Sequence, residues 1–533
     1  MYASRVVDAA AVWDIIGISR RRPPVPISRG MCDLNAAPPL DVIIVGSGAG
    51  GAAAAYVLVR AGMNVLMLEK GAALPHDGTT LDNGRVVTRG EFMSKEPWTD
   101  GRGNPICPEE HFNLGGKTKW YGAAVLRYSP REFASDTEFS ARGWPITAAD
   151  LAPYYDQAER LLGVRTFDCE PGLKRILDRL SAGDRAWQSS PLPMALSADI
   201  LRNPREATHF DGFASAANLK GDAQENFLRL IAERPNWAFR TEAEVVQLLP
   251  ASPGAVRVGG VKLASGEEFR APLVLLAAGA LHSPRLLSRY LAVIRSASPF
   301  RDASSFRDAS PFPDAEPFPE LAAVGRNLKK HVLTALVAVS PSKQSDLLRK
   351  TMITTHAAYP HSSVQPLGFD GELIATLVPK FVPRFAARII GRHSYGFFLQ
   401  TEDGSHPDNR VIERGSPPIR VMDYDDARTP ASQSEHRAFT RAFQRALLRQ
   451  GFISFTQRVG PNGTAHVNGT LIAGTDPRDA VVAADGAVFG VAGLYVVDGS
   501  ILPRSSRVNP SLSIYAWGLR VADLLARCRR LTG

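Results

Sequence analysis

Cysteine is scarce in this chain. Its four residues, Cys32, Cys107, Cys169 and Cys528, show no C-x-x-C spacing. That pattern excludes a disulfide framework and a cysteine-based metal site, and it suits a reducing compartment. Long apolar runs are also missing. No stretch approaches the ~20 apolar residues that a spanning helix needs, so no membrane span is expected. Aromatics are absent from the basic clusters "SRRRPP" and "NLKKH", although the net charge is +9. A single-strand nucleic-acid platform interleaves the two, so no nucleic-acid partner is expected. No G-x-S-x-G occurs, which leaves a serine hydrolase without its usual signature. Prolines follow the arginines of "SRRRPPVPISRG" where an export signal would carry its apolar core. Residues 1–38 are therefore read as a disordered N-terminal arm, or residues 1–30 as lying upstream of a true start at Met31, and the cytoplasm is the default location.

A chain of 533 residues with 44% hydrophobic residues has enough material for two or more folded units. From Asp41 the pattern is strand ("DVIIV"), glycine turn ("GSGAGG"), helix ("AAAAYVLVRAG") and strand ("NVLMLEKG"). Gly46, Gly48 and Gly51 form a G-x-G-x-x-G between the first strand and the helix. The first glycine permits the tight turn, the second lets backbone approach a pyrophosphate, and the third lets helix and strand pack closely. Eighteen residues after Gly51, Glu69 ends the second strand, where an acid accepts hydrogen bonds from a ribose. The motif does not separate NAD from FAD. Its place at the start of the folded region, followed by a second glycine cluster, "FNLGGKTKWYGAAVLRY" (112–128), favours FAD. An NAD(P)-dependent dehydrogenase is the alternative.

Further along, "TAADLAPYYDQAERLLGV" (147–164) reads as a helix with Thr147 as N-cap. "ENFLRLIAERPNWAFRTEAEVVQLLP" reads as helix, turn and strand, and "AVRVGGVKLASGEEFRAPLVLLAAGA" as a hairpin leading into a buried strand. Residues 335–460 mix strand-like pieces ("LIATLVPKFV", "SYGFFLQT") with the helix "SEHRAFTRAFQRALLRQGF", which suggests a second α+β domain with an antiparallel sheet. Between them, Phe300, Phe306, Phe312 and Phe318 recur every six residues among Asp-Ala and Pro. Six is neither a helical nor a strand period, so 295–320 reads as a low-complexity insertion. It also keeps open a non-catalytic flavoprotein or an interaction protein as an alternative.

Several motifs in one order resemble the glucose–methanol–choline (GMC) flavoprotein oxidoreductases. They are the opening unit, "LGGKTKWYGA", "AAGALHSPRLL", "VGRNLKKH" and the C-terminal "HVNGT…GTDP…GLYVVDGSILP…NPSLSI". The resemblance implies a Rossmann-like FAD-binding domain built from discontinuous segments (39–165, 226–294, 321–334 and 461–533). It also implies a substrate domain (166–225 and 335–460) over the flavin. It places Gly46, Gly48 and Gly51 at the pyrophosphate, Glu69 at the adenosine ribose, and Gly115 and Gly116 along the diphosphate. Val245 would meet the adenine through its backbone. Gly279 belongs to a second family signature, Asp498 and Gly499 lie by the ribityl chain and pyrophosphate, and Asn509 and Pro510 by the flavin edge. Where many members carry Gly-Gly-Ser-Ser, this chain has Gly-Gly-Lys-Thr. Lys119 and Trp120 stand where covalent members place a histidine, so non-covalent FAD is expected, with His111 the one residue able to overturn that. No metal is implied.

Oxidising an alcohol by hydride transfer to flavin N5 requires that the hydroxyl proton leave, and a neutral imidazole accepts it. An asparagine amide can donate to the substrate oxygen and orient it. His466, in "TAHVNGTLIAGTDP", and Asn509, in "RVNPSLSI", sit in the two segments that resemble the family's active-site pair. Read alone, His466 would be an ordinary histidine in a glycine-rich turn. The same resemblance matches His331 to a family position, where a structural role is expected, and His282 reads as a helix-opening residue. The expected reaction is oxidation of an alcohol or sugar-like small molecule, as a dehydrogenase rather than an oxidase. Oxygen, a quinone or a redox protein would take the electrons.

Overall fold

The computed structural model describes residues 39–253, 255–297, 322–377, 382–460 and 462–532. The arm expected over 1–38 and most of the insertion expected over 295–320 lie outside them. The Ser283–Ala297 helix runs through the first three residues of that insertion.

β1 (Val42–Val45) is an apolar run with every residue at most 5% exposed, as a parallel strand covered on both faces must be. The glycine turn leads into the Ala49–Arg60 helix, and β2 (Val65–Leu68) pairs in parallel with β1. β6 (Trp237–Arg240), β10 (Leu273–Leu276) and β18 (Leu494–Val496) complete a parallel sheet in the order β18-β10-β1-β2-β6. The loops after β1, β2, β10 and β18 therefore emerge at one edge, where open α/β sheets bind ligands. Two close approaches explain the glycines of the turn. A Cβ on Gly46 (φ 103°) would overlap the Ala277 carbonyl, and one on Gly51 would overlap the Gly46 carbonyl. The long Ser511–Thr532 helix packs against the Ala49–Arg60 helix.

A second sheet joins β5 (Trp187–Pro191), β11 (Val332–Val339), β12 (Met352–His356), β13 (Ser362–Pro366), β14 (Ser394–Thr401) and β17 (Ile453–Arg458). Its order is β17-β11-β14-β13-β12-β5 and every pairing is antiparallel. The period of two sorts its side chains. Leu336, Val364, Tyr395, Phe397 and Leu399 form one apolar face, packed on Phe439 and Phe443 of the Pro430–Leu448 helix. The alternate positions Leu333, Gln365, Phe398 and Gln400 line a cavity.

Two smaller sheets complete the strands. β3 (Trp98–Asp100) and β4 (Pro105–Ile106) join β15 (Arg410–Arg414) and β16 (Ile419–Asp423), while β7 (Val245–Pro250), β8 (Val258–Leu263) and β9 (Glu268–Arg270) form the expected hairpin region. The first of these draws strands from segments assigned to both domains. β11, wholly in the second sheet, likewise begins inside the 321–334 segment assigned to the first. Thr147 caps the Ala148–Leu162 helix and forms a reciprocal capping box with Asp150.

Two local expectations are corrected. "LIAT", read as strand, lies in the Gly371–Leu377 helix. Asp370 accepts a hydrogen bond from the Leu373 amide at 2.8 Å and so starts that helix, and Gly371 packs so closely on Gly391 that no side chain fits between the two turns. The helix read in "ENFLRLIAE" is reduced to one turn at Ala223–Asn226 and a 3-10 turn at Leu228–Ile231. No helix among the described residues is long and apolar enough to cross a membrane.

Candidate active site

One cavity of about 540 Å³ runs from the carboxyl edge of the parallel sheet to the Leu333, Gln365, Phe398 and Gln400 face of the antiparallel sheet. At its first end lie Gly46, Gly48, Glu69, Gly116, Val245 and Gly279, with Asp498, Gly499, Asn509 and Pro510 further in. The residues fit a dinucleotide. Beyond each glycine's two chain neighbours, no atom of the described residues lies within 4 Å of where a Cβ on Gly48 or Gly279 would sit, so backbone there faces open space. The Ala49–Arg60 helix begins beside Gly48, and its unpaired amides and dipole suit a pyrophosphate. A second helix opens on the cavity at Ser511, whose hydroxyl is buried without a partner among the described residues.

Glu69 accepts hydrogen bonds from the Ser47 amide (3.0 Å) and hydroxyl (2.6 Å) and from the Gly71 amide (2.9 Å). Burial pushes its pKa up, partly offset by those donors. A carboxylate oxygen accepts more than one hydrogen bond, so capacity for a ribose remains. Asp498 is more fully committed: it accepts from the Gly279 and Ser500 amides, each at 2.9 Å, and from the Ser283 and Ser500 hydroxyls, and so ties the β10 and β18 loops together. Gly115 and Gly51, expected along the diphosphate and pyrophosphate, do not line the cavity. The Gly115 amide instead donates to Ser47 Oγ at 2.9 Å, and Gly51 serves the helix–strand packing.

The structure brings His466 and Asn509 together from 43 residues apart, with Asn509 Nδ2 3.4 Å from His466 Nε2. Two devices achieve this. Lys329 and Asn468 exchange backbone hydrogen bonds at 2.9 and 2.8 Å, an antiparallel bridge that sets His331 opposite His466. The 507–509 segment is fastened to the antiparallel sheet, where Ser363 and Gln400 donate to the Arg507 carbonyl and Gln365 Nε2 donates to Asn509 Oδ1 at 2.7 Å.

His331, expected to be structural, is hydrogen-bonded directly to His466, a contact that no local pattern announces. Its Nε2 meets the Ser506 carbonyl at 2.8 Å and its Nδ1 meets His466 Nδ1 at 2.7 Å. A carbonyl only accepts, so His331 carries its proton on Nε2 and accepts at Nδ1. His466 must then donate from Nδ1, which leaves Nε2 as a lone pair beside Asn509. Ser506 adopts the left-handed region (φ 64°), a strained conformation for serine. Its amide donates to Glu402 and its hydroxyl bonds Glu132. Burial lowers the pKa of both histidines, that of His466 strongly, with the nearby Lys350 and Lys117 adding to the effect at His466. The pair is therefore neutral at neutral pH.

His111 lines the cavity, stacked on Trp120 at 4.7 Å, with Nδ1 2.9 Å from the Phe92 carbonyl. Burial brings its pKa down to about 4. Asp211 and Lys350, which sequence reading did not single out, also line the cavity. No spacing motif marks them; a register between distant loops was the missing signal.

Residues 420–518 match the family model described as GMC oxidoreductase, and residues 41–317 match that described as FAD dependent oxidoreductase. The chain is 30% identical to a 6'''-hydroxyparomomycin C oxidase of Streptomyces lividus, over 91% of each chain. It is 24% identical to a 2-methyl-1,2-propanediol dehydrogenase of Mycolicibacterium austroafricanum, over 91% of this chain and 95% of that one. The crystal structure of a pyridoxine 4-oxidase from Mesorbium loti superposes with a TM-score of 0.63 at 19% identity, covering 92% of this chain and 99% of that one.

Proposed function

The chain belongs to the GMC oxidoreductases, which use FAD, and from that premise we propose that it oxidises the CH–OH group of an alcohol or sugar-like substrate, with His466 as base and Asn509 orienting the substrate oxygen. FAD, when bound, supplies the acceptor for the hydride that leaves the carbon. The observation that carries the reading is the lone pair of His466 Nε2 beside the Asn509 amide, on the same cavity as the Gly46–Gly48 turn.

Each residue then has a task. Asn509 is held by Gln365, so one Nδ2 proton is available to the substrate oxygen. His466 Nε2 takes the hydroxyl proton, and His331 keeps that nitrogen unprotonated beforehand by accepting from Nδ1. Depression of the His466 pKa by burial keeps the accepting form populated in mildly acidic solution. The N-terminus of the Ser511–Thr532 helix stabilises negative charge that develops at its end of the cavity. Glu69 is proposed to hold the ribose, and the backbone at Gly46, Gly48 and Gly116 to hold the pyrophosphate.

FAD is proposed to be non-covalent. His111 lies flat on Trp120 with Nδ1 engaged by a carbonyl, which supports a packing role. Acid precipitation should release all flavin into the supernatant; flavin retained in the pellet would refute this. Dehydrogenase is kept over oxidase as the proposal, and the reduced protein should be reoxidised faster by an artificial quinone than by oxygen. The central test is His466→Ala. It should retain FAD yet reduce it with substrate about 10²- to 10⁴-fold more slowly under anaerobic conditions. Unchanged reduction would remove His466 from the mechanism.

A further inference from the structure

We propose that Asp211 and Lys350 act as a polar clamp in the wall of this cavity, binding hydroxyl groups that flank the reacting one, so that the substrate is a polyol or sugar rather than a hydrophobic alcohol. The proposal rests on the reading of the cavity as an alcohol-oxidising site.

The two side chains are paired at 2.9 Å with only 9% of Asp211 and 5% of Lys350 exposed, and both line the cavity that holds His466 and Asn509. Withdrawing an ion pair from water commonly costs more than its attraction returns, so stability alone gives little reason for one here. The pair also has unspent capacity. Asp211 Oδ2 accepts from Lys350 and from the Gly368 amide at 3.0 Å, while Oδ1 has no donor among the described residues. Lys350 has three N–H groups and a single acceptor there. An oxygen that only accepts and an ammonium that only donates, fixed side by side, match two neighbouring hydroxyls, each of which does both.

The surroundings hold this arrangement in place. A Cβ on Gly122 would overlap both Asp211 Oδ1 and Lys350 Nζ, so the pair occupies the room a side chain would take. Lys220, 2% exposed, donates to the carbonyls of Tyr121 (2.7 Å), Phe210 (2.8 Å) and Phe213 (2.5 Å). It thereby ties the loop bearing Asp211 to the one bearing Gly122. Preorganised polar groups of this kind discriminate strongly, because an analogue lacking the matching hydroxyl leaves them desolvated and unpaired. Asp211, Lys350 and His466 line the same cavity, and the charge of Lys350 helps to lower the imidazole pKa, so one bound molecule can meet both the clamp and the base.

The test uses the FAD-loaded protein and two compounds with the same ring-CH₂OH group, methyl β-D-glucopyranoside and tetrahydropyran-2-methanol, which lacks the ring hydroxyls. Binding is read from perturbation of the flavin absorbance, and reduction from its anaerobic bleaching. The wild type should bind the glucoside at least about tenfold more tightly. Asp211→Asn/Lys350→Met, which leaves no charge unpaired, should bring the two dissociation constants within about threefold while retaining flavin. Equal binding of both compounds by the wild type, binding of neither, or an unchanged ratio in the flavin-loaded double variant would overturn the clamp. Because the wild-type comparison needs no variant, a failure of the double variant to fold leaves the proposal exposed to refutation. Discriminating binding without any bleaching would instead overturn the alcohol-oxidation reading and leave the clamp standing.

Discussion

The two ends of the cavity are built by opposite means. The end at the parallel sheet is made mostly of backbone: glycines, strand termini and helix N-termini, with Gly46, Gly48 and Glu69 coming from one short stretch of chain. The end at the antiparallel sheet is made of side chains from separated places, His331, Gln365, Gln400, His466 and Asn509, held by cross-links between loops. A site made of backbone tolerates few substitutions because the chain itself must pass there. A site made of side chains keeps its fold when one is changed and loses chemistry instead.

The largest expected effect tests the first half of that contrast. Gly46→Val places a side chain against the Ala277 carbonyl at a φ of 103°, so the protein should be recovered without flavin or not at all. Measured flavin content close to one per chain would break the contrast. The second half predicts the reverse for Asn509→Ala: full flavin content, with reduction by substrate slowed about 10²-fold for the loss of one oriented donor. Loss of flavin instead would mean that Asn509 belongs to the cofactor end.

A smaller effect is expected at His331. His331→Phe removes the acceptor that fixes the His466 tautomer and should slow flavin reduction about 10- to 100-fold, whereas His331→Gln, which retains an acceptor, should recover part of the loss. Equal rates in the two variants would reduce His331 to packing. Finally, protonation of His466 removes its lone pair, so the rate must fall as pH falls through the His466 pKa and level off above it. Since burial and nearby positive charge lower that pKa, the acid limb should lie below the ordinary imidazole value of about 6.5. An acid limb above it would assign the limb to another group.

The same contrast governs how much could be read beforehand. The βαβ opening and Glu69 were legible because a tight turn, a helix start and a strand end are local requirements stated by adjacent residues. The Pro430–Leu448 helix and β14 were legible from their periods. "LIAT" misled because apolar runs of four fit strand or helix alike, and the capping residue Asp370 outweighed them. Gly115 shows a subtler limit. The chain does turn there with positive φ, as a glycine pair suggests, but the amide points to Ser47 and not to the cavity.

By itself, then, the sequence determined the βαβ opening unit, the glycine turn for a dinucleotide, and the family to which the motif order belongs, since each depends on contacts between near neighbours or on motif order alone. Tertiary structure alone decided the tautomer of His466 and the place of His331. Both depend on one backbone bridge, Lys329 to Asn468, and on a carbonyl at Ser506, contacts between residues more than a hundred positions apart. It alone also joined Asp211 to Lys350. A charge becomes a recognition group only once folding has removed it from water and fixed its partner, and no local pattern encodes that.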